Sequence, residues 1–420
     1  YKELDKQRKL YGEKIRSALE AGKFFYLIND LYSSPHSIKF YAVEDVLFNL
    51  INEERYKEDV KKLFNILGYV TFYEKKLKCR NIITRASAID KLGKMLSALS
   101  TYKLISMFKS KNPEIISVTV RSLSNIGTTE ALKGILEYLP DLYEKWLITR
   151  KVVETSLLKF GQSAVPILLE YGRRLSNPKI LAIILDVLSH LDDKMSLPLA
   201  IDNLKHESAE VRAKSLKIIE ALVDKLEDSD IVKVILLLDE PIWLDIGDTM
   251  SDTVKVMTRR VLSLLDDPVW FVRLYAVKAL GKMQYLKATA ELLGGLLLDE
   301  NWQVRNAAAI TLTRFDTMDA IDTFLRVLRY NDRYAKEIVC EEIEKTNFVY
   351  KLIENLGSSD KNIYEKSKEI LNIMHSLNFS TPLYEYMKNG RNDKIKGEIN
   401  LILIRKQRYE GIIDTPYIRV

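Results

Sequence analysis

Histidine and cysteine are scarce in this sequence, and their scarcity limits the chemistry that the chain can carry out. The four histidines and two cysteines are too widely spaced for the usual ligand patterns of a zinc site or for a disulfide framework. They are His36, His190, His206, His375, Cys79 and Cys340. We therefore predict no catalytic site, no cofactor site and no metal site, and we interpret both cysteines as ordinary residues of a reducing compartment.

The sequence also lacks nucleotide-binding motifs, strand patterns and apolar runs of membrane length. Neither G-x-x-x-x-G-K-[ST], G-x-G-x-x-G nor G-x-S-x-G occurs in it. The longest apolar runs, which start at Ile180 and Leu292, fall far short of the roughly 20 residues that a membrane helix needs. No sustained alternation of polar and apolar residues indicates strands. These absences favour an all-α protein, which we expect in the cytoplasm.

Positive charge is concentrated at the N-terminal end of the chain. Residues 1–110 contain 21 Lys or Arg against 13 Asp or Glu, whereas residues 111–320 contain 26 against 30. A basic end is able to bind nucleic acid or an acidic membrane surface, but it is more often a solvated face.

Short segments of one pattern recur along the chain. In DDPVWFVRLYAVKALGKM, from Asp266, and DENWQVRNAAAITLTRF, from Asp299, an acidic turn and a tryptophan precede a Val-Arg pair. Small or apolar residues then follow at four-residue spacing, as at Val272, Ala276 and Leu280. This spacing places the three side chains on one stripe of a helix.

Trios with this spacing recur about every 31 residues, which fits two short helices and two turns per unit. Their middle residue is often small, so a neighbouring helix is able to approach closely. The trios are Thr84/Ala88/Leu92, Val118/Ser122/Ile126, Val152/Ser156/Phe160, Ile183/Val187/Leu191, Val211/Ser215/Ile219, Ile246/Met250/Val254, Val272/Ala276/Leu280, Val304/Ala308/Leu312, Ala335/Val339/Ile343, Ile363/Ser367/Leu371 and Ile395/Ile399/Ile403.

Glycine follows four of the trios directly, at Gly93, Gly127, Gly161 and Gly281. Glycine readily takes the left-handed conformation that commonly ends a helix. We therefore predict helix ends at these four positions.

This pattern resembles the HEAT-repeat family in its short bacterial and archaeal form, well over residues 80–345 and loosely over 346–420. The turn acid, the Val-Arg pair and the closing Leu-Gly carry the resemblance. The family arginine stands at Arg85, Arg212, Arg273 and Arg305, whereas Thr119, Val153, Ile184 and Gly247 depart from it. The resemblance implies that these arginines bond acids or carbonyls at the turns between repeats.

The resemblance implies a right-handed α-α superhelix, an α-solenoid of about eleven helix pairs. We predict an N-terminal helical cap at 1–79, the HEAT-repeat solenoid at 80–345, and degenerate repeats with a C-terminal cap at 346–420. Such a shape offers a long surface, and binding needs area whereas catalysis needs convergent polar groups. The predicted function is therefore a non-enzymatic scaffold or adaptor for a protein partner.

Three tryptophans are the candidate partner-binding residues. Trp270 and Trp302 occupy the same place in successive repeats, and Trp243 lies within one residue of that place one repeat earlier. Indoles in a row along one edge are typical interface anchors. The alternative is that each indole packs between repeats, and three fully buried rings would exclude the interface hypothesis.

Other classes of function remain open from the sequence. One is an enzyme on a HEAT scaffold, such as a bilin lyase or a base-excision glycosylase. The iron-dependent hydroxylases of this fold use several His-Glu pairs, whereas this sequence has one, at His206-Glu207.

Nucleic-acid binding is a further alternative, because several tyrosines lie among the N-terminal lysines; they are Tyr41, Tyr56, Tyr69, Tyr73 and Tyr102. The net negative middle of the chain argues against it. The last alternative is a membrane-tethered assembly factor whose anchor precedes Tyr1.

Overall fold

The computed structural model of the chain describes residues 2–225, 252–282, 287–315 and 317–404. Within these ranges all regular structure is helical, and twenty-four α-helices follow one another through short turns and 3₁₀ segments. The chain divides into two compact units, an N-terminal unit, Tyr1–Ser196, and a C-terminal unit, Leu197–Val420. The predicted all-α fold of stacked helical repeats is confirmed. The predicted boundaries after residues 79 and 345 fall inside these units and stay predictions.

The N-terminal unit contains twelve described helices. In chain order they are α1 Lys2–Glu20, α2 Ile28–Leu31, α3 Ile38–Leu50, α4 Lys57–Ile66, α5 Tyr69–Lys76, α6 Ile82–Lys94, α7 Thr101–Ile105, α8 Pro113–Ile126, α9 Thr129–Glu144, α10 Arg150–Leu158, α11 Val165–Arg174 and α12 Pro178–Leu191. Alternate helices pack side by side, as α1 does on α3, α6 on α8 and α10 on α12. This alternation is what a stack of helix pairs requires.

The C-terminal unit also contains twelve described helices. They are α13 Leu197–Asp202, α14 Ala209–Leu222, α15 Asp252–Ser263, α16 Trp270–Lys282, α17 Lys287–Leu296, α18 Trp302–Leu312, α19 Thr317–Leu328, α20 Arg333–Lys345, α21 Phe348–Asn355, α22 Lys361–Ser376, α23 Thr381–Asn389 and α24 Asp393–Ile404. Helices α14, α16, α18 and α20 pack successively against one another and form one layer. We call these four the inner helices of the C-terminal unit.

The two Asn-Pro pairs begin helices. The side chain of Asn112 accepts hydrogen bonds from the backbone N–H groups of Glu114 and Ile115, at 2.9 and 3.1 Å, and Pro113 is the first residue of α8. Asn177 and Pro178 begin α12 in the same way. An asparagine cap satisfies N–H groups that lack a helical partner, and proline has a backbone angle already suited to the first helical position.

The predicted trios lie on the buried stripe where the repeats are most regular. Val272, Ala276 and Leu280 in α16 are fully buried, as are the three equivalent residues of α18. In α8, by contrast, Ser122 is buried while Val118 and Ile126 are half-buried. The buried stripe of that helix therefore differs from the one in α16.

The four glycines that follow trios serve two different purposes. Gly127 and Gly161 have φ angles of 73° and 62° and take the left-handed conformation that was predicted. Gly93 and Gly281 are the second-to-last residues of α6 and α16, so these helices end one residue beyond the predicted positions, and neither glycine has a positive φ. A Cβ at Gly93 would lie 2.5 Å from Cβ of Ser122, so glycine is needed there for the close approach of α6 to α8.

The Gly93→Ala variant is expected to lower the free energy of unfolding by about 1–3 kcal/mol, because the added methyl group overlaps the Cα and Cβ atoms of Ser122. Gly397→Ala in α24 is the matched control, since nothing lies within 4 Å of its Cβ and alanine favours the helix by about 0.5–1 kcal/mol. Urea denaturation followed by circular dichroism measures both. Equal stability of the two variants would contradict the close approach.

Helix α14 packs directly against α16, although two repeat lengths separate Val211 from Val272 in the sequence. The predicted trio Ile246/Met250/Val254 lies between these two helices in the sequence. Ile246 and Met250 lie outside the described residues, and Val254 belongs to α15, which packs against α16 as its partner helix. The number of repeats between α14 and α16 therefore stays a prediction.

Candidate functional site

Two of the three candidate tryptophans are exposed at the starts of inner helices. Trp270 and Trp302 are the first residues of α16 and α18, and their side chains are 37% and 58% exposed. The ring of Trp270 packs edge-on against Phe271, with 5.7 Å between the ring centroids. Trp243 lies outside the described residues. Since neither described indole is buried, the interface hypothesis for this edge stays a prediction.

A cleft of about 440 Å³ opens beside Trp302 and lies across three inner helices of the C-terminal unit. Glu220 of α14, Leu274 of α16 and Ile310 of α18 contribute to its wall. The complete lining is Glu220, Leu274, Lys278, Lys282, Trp302, Gln303, Asn306, Ala307, Ile310, Thr311 and Arg314. We call this the Trp302 cleft. It combines an apolar wall with an exposed indole and several charged side chains.

Positive charge predominates in the Trp302 cleft. Nζ of Lys278 lies 5.3 Å from the centroid of the Tyr275 ring, and Nζ of Lys282 lies 3.1 Å from a carboxylate oxygen of Asp224. Lys278 and Arg314 have no carboxylate within 4.0 Å in the part of the chain that the structure describes. Their charges are therefore available to an acidic ligand.

The family arginines form a ladder between successive turns of the C-terminal unit. Arg212 donates to both carboxylate oxygens of Asp267, at 2.8 and 3.0 Å. Arg273 donates to both carboxylate oxygens of Asp299, at 2.7 and 2.9 Å, and this bond raises the pKa of its guanidinium. Parallel paired bonds of this kind combine strength with fixed geometry.

The ladder confirms that Arg212, Arg273 and Arg305 bind acids or carbonyls at the turns between repeats, and it shows which turn supplies each group. For Arg85 the prediction is not confirmed, because its Nε has no hydrogen-bond partner. Arg273 donates to the carbonyl oxygen of Asp267 in its own turn, at 2.8 Å, while its carboxylate partner comes from the next turn. Arg305 likewise donates to the carbonyls of Asp299 and Glu300, at 2.9 and 3.3 Å. The order of residues in the sequence therefore does not show which aspartate supplies the carboxylate to each arginine.

A buried charged pair supports the N-terminal unit. Nζ of Lys91 lies 2.5 Å from a carboxylate oxygen of Glu44, whose side chain is 1% exposed, and 2.8 Å from the hydroxyl of Tyr73. Burial, and then the bond with Glu44, raise the pKa of the Tyr73 phenol. Lys91 also lines a mixed-charge cleft of about 830 Å³.

Three of the tyrosines that suggested nucleic-acid binding are core residues. Tyr56, Tyr69 and Tyr73 are buried, so their rings are not available for stacking on bases. Tyr102 is exposed. The aromatic contribution to a nucleic-acid surface is therefore smaller than the sequence suggested.

The described residues contain no group of three or more metal-ligating side chains, and the ring of His206 accepts a hydrogen bond from the N–H of Ser208. Burial raises the pKa of the Cys340 thiol to about 12. In the described part of the chain, no single helix is both long enough and apolar enough to cross a membrane. The bent helix pair Arg150–Leu158 and Gly161–Arg174 meets this criterion only when its two parts are taken together, by length and composition alone.

Sequence reasoning missed the basic side chains of the Trp302 cleft and one further tryptophan. Lys278 and Lys282 are four residues apart on one helix, which is a detectable signal for a shared face. Trp146, in the turn after α9, is 86% exposed and has a φ of 56°. Nothing in the local sequence distinguishes it from a packed tryptophan.

Stacked helix pairs joined by an arginine–aspartate ladder define a helical-repeat protein. A family model described as HEAT repeats matches residues 258–344, which include α16, α18 and both described tryptophans. These residues are HEAT repeats, as the sequence resemblance predicted. HEAT repeats generally mediate protein interactions, and the family is typically non-enzymatic.

No curated protein matches the chain. Among solved structures, the crystal structure of an engineered protein is similar at 13% sequence identity with a TM-score of 0.34, covering 91% of this chain and 98% of that one.

Proposed function

We propose that this protein is a non-enzymatic scaffold that binds a protein partner through the Trp302 cleft. The observation that supports it is an indole more than half exposed beside an apolar wall and beside Lys278 and Arg314, which have no carboxylate partner among the described residues. Leaving an indole in water is unfavourable, whereas covering it with a partner removes a large apolar area from water. Tryptophan and arginine are also the residues that most often dominate binding energy at protein interfaces.

The Trp302→Ala variant is expected to bind the partner at least about tenfold more weakly, because it removes the largest apolar group of the cleft. Affinity capture identifies the partner with wild-type protein, and titration of the purified partner against each variant measures the dissociation constant. Trp146→Ala is the matched control, since it removes an even more exposed indole from the other unit. Equal affinity of wild type and Trp302→Ala would refute the assignment of this cleft.

A further inference from the structure

The arginine–aspartate ladder stops at Arg305. The two acids that complete it, Asp267 and Asp299, each stand three residues before the first residue of an inner helix, α16 and α18. The residue three before α20 is Tyr330. Tyrosine supplies no carboxylate, so Arg305 lacks the partner that Arg212 and Arg273 have.

The position three residues before an inner helix has an equivalent in the N-terminal unit, where it also lacks an acid. Oδ1 of Asp267 and Oδ1 of Asp299 each accept the backbone N–H two residues further on, at 2.9 and 2.8 Å. Oγ of Ser110, three residues before α8, accepts the N–H of Asn112 at 3.2 Å in the same way. Serine also has no carboxylate. Arg85 of α6 therefore has no carboxylate partner at this position.

At both breaks the arginine has an unsatisfied donor. Nε of Arg305 and Nε of Arg85 are covered from solvent and have no hydrogen-bond partner. In Arg212 and Arg273 the same Nε binds an aspartate oxygen. A covered donor without an acceptor costs stability, so this atom favours any carboxylate that reaches it.

The unsatisfied guanidinium of Arg305 is already oriented. Its Nη1 is fixed by the carbonyls of Asp299 and Glu300, as Nη1 of Arg273 is fixed by the carbonyl of Asp267. Little side-chain freedom therefore remains to be lost on binding. Trp302 lies one helical turn before Arg305, and the exposed Tyr330 takes the place of the missing acid.

We propose that an acidic segment of the protein partner supplies the missing carboxylate and completes the ladder at Arg305. This inference rests on the proposed function in that the carboxylate belongs to a protein partner. The carboxylate would bind Nη2 of Arg305 and, by displacing the groups that now cover it, Nε, as Asp299 binds those atoms of Arg273. Lys278 and Arg314 in the neighbouring cleft have the sign of charge that favours such a segment.

The test uses the full chain and a short fluorescein-labelled poly-glutamate peptide, with binding followed by fluorescence anisotropy. Arg305→Leu is expected to weaken binding about tenfold, because it removes a paired charged hydrogen bond. Tyr330→Asp is expected to weaken peptide binding to a similar extent, because the new aspartate binds the guanidinium of Arg305 in place of the peptide. The same variant is expected to have a higher melting temperature. Arg391→Leu removes one charge from an exposed turn of the same unit and should leave binding unchanged.

Ser110→Asp is the matched control for ladder completion. It should raise the melting temperature through Arg85. Peptide binding should stay as in wild type, because the guanidinium of Arg85, unlike that of Arg305, is not oriented by turn carbonyls among the described residues. Equal peptide affinity of wild type, Arg305→Leu and Tyr330→Asp overturns the proposal. Tighter binding of a labelled single-stranded oligonucleotide than of the peptide, lost in Arg305→Leu, also overturns it in favour of a phosphate ligand.

The outcome is separable from that of the proposed function. Trp302→Ala should leave the affinity for poly-glutamate within about twofold, because this peptide carries no apolar group for the cleft. Loss of peptide binding in Arg305→Leu with undiminished partner binding in Trp302→Ala would support the carboxylate site and refute the cleft. The reverse pattern would refute the carboxylate site alone.

Discussion

Replacement of Asp299 by alanine is expected to destabilise the C-terminal unit by about 3–5 kcal/mol. The side chains of Arg273 and Asp299 are 10% and 5% exposed, so the variant leaves a desolvated guanidinium without its counter-charge. The same change removes the acceptor for the N–H of Asn301, which begins α18. Urea denaturation of the full chain, followed by circular dichroism, measures the loss.

Glu300→Ala is the control for this prediction. Glu300 also lies near Arg273, at 3.4 Å, but its side chain is 82% exposed, and an exposed ion pair contributes little. A double-mutant cycle with Arg273→Met and Asp299→Leu separates the pair's coupling from the loss of either residue alone. If Asp299→Ala unfolds at the same urea concentration as Glu300→Ala, the ladder does not stabilise the stack.

Replacement of Lys91 by methionine is expected to cost a similar amount, about 3–5 kcal/mol, in the N-terminal unit. Methionine retains most of the apolar volume of the lysine side chain, but it leaves the carboxylate of Glu44 buried without a cation. One oxygen of this carboxylate already has no hydrogen-bond partner, and the neutral hydroxyl of Tyr73 does not replace the charge of Lys91. Urea denaturation again measures the change.

Lys94→Met is the matched control, because Lys94 pairs with Asp90 at the surface of the same helix at 2.7 Å. Its effect should stay below about 1 kcal/mol. Adding Glu44→Leu to Lys91→Met should restore much of the lost stability, since a buried pair replaced by apolar side chains is often neutral. If the double variant is no more stable than Lys91→Met alone, the destabilisation has another origin than an unpaired charge.

The sequence by itself determined the fold class and the position of the most regular repeats. The four-residue spacing of Val272, Ala276 and Leu280 reports a property of one helix, because residues four apart share a face whatever the helix packs against. The spacing of Trp270 and Trp302 likewise placed them at equivalent starts of inner helices. The Asn-Pro pairs marked turns because capping depends on local backbone chemistry.

The tertiary structure decided everything that depends on which helix packs against which. The bond between Arg212 and Asp267 is not visible in the sequence, because it depends on the packing of α14 against α16, which lie far apart along the chain. The sequence could not separate Gly93, which permits a close approach, from Gly127, which ends a helix, since the distinction lies in the neighbouring helix. The Trp302 cleft and the unsatisfied Arg305 arise between repeats, and contacts between repeats are set by stacking rather than by sequence period.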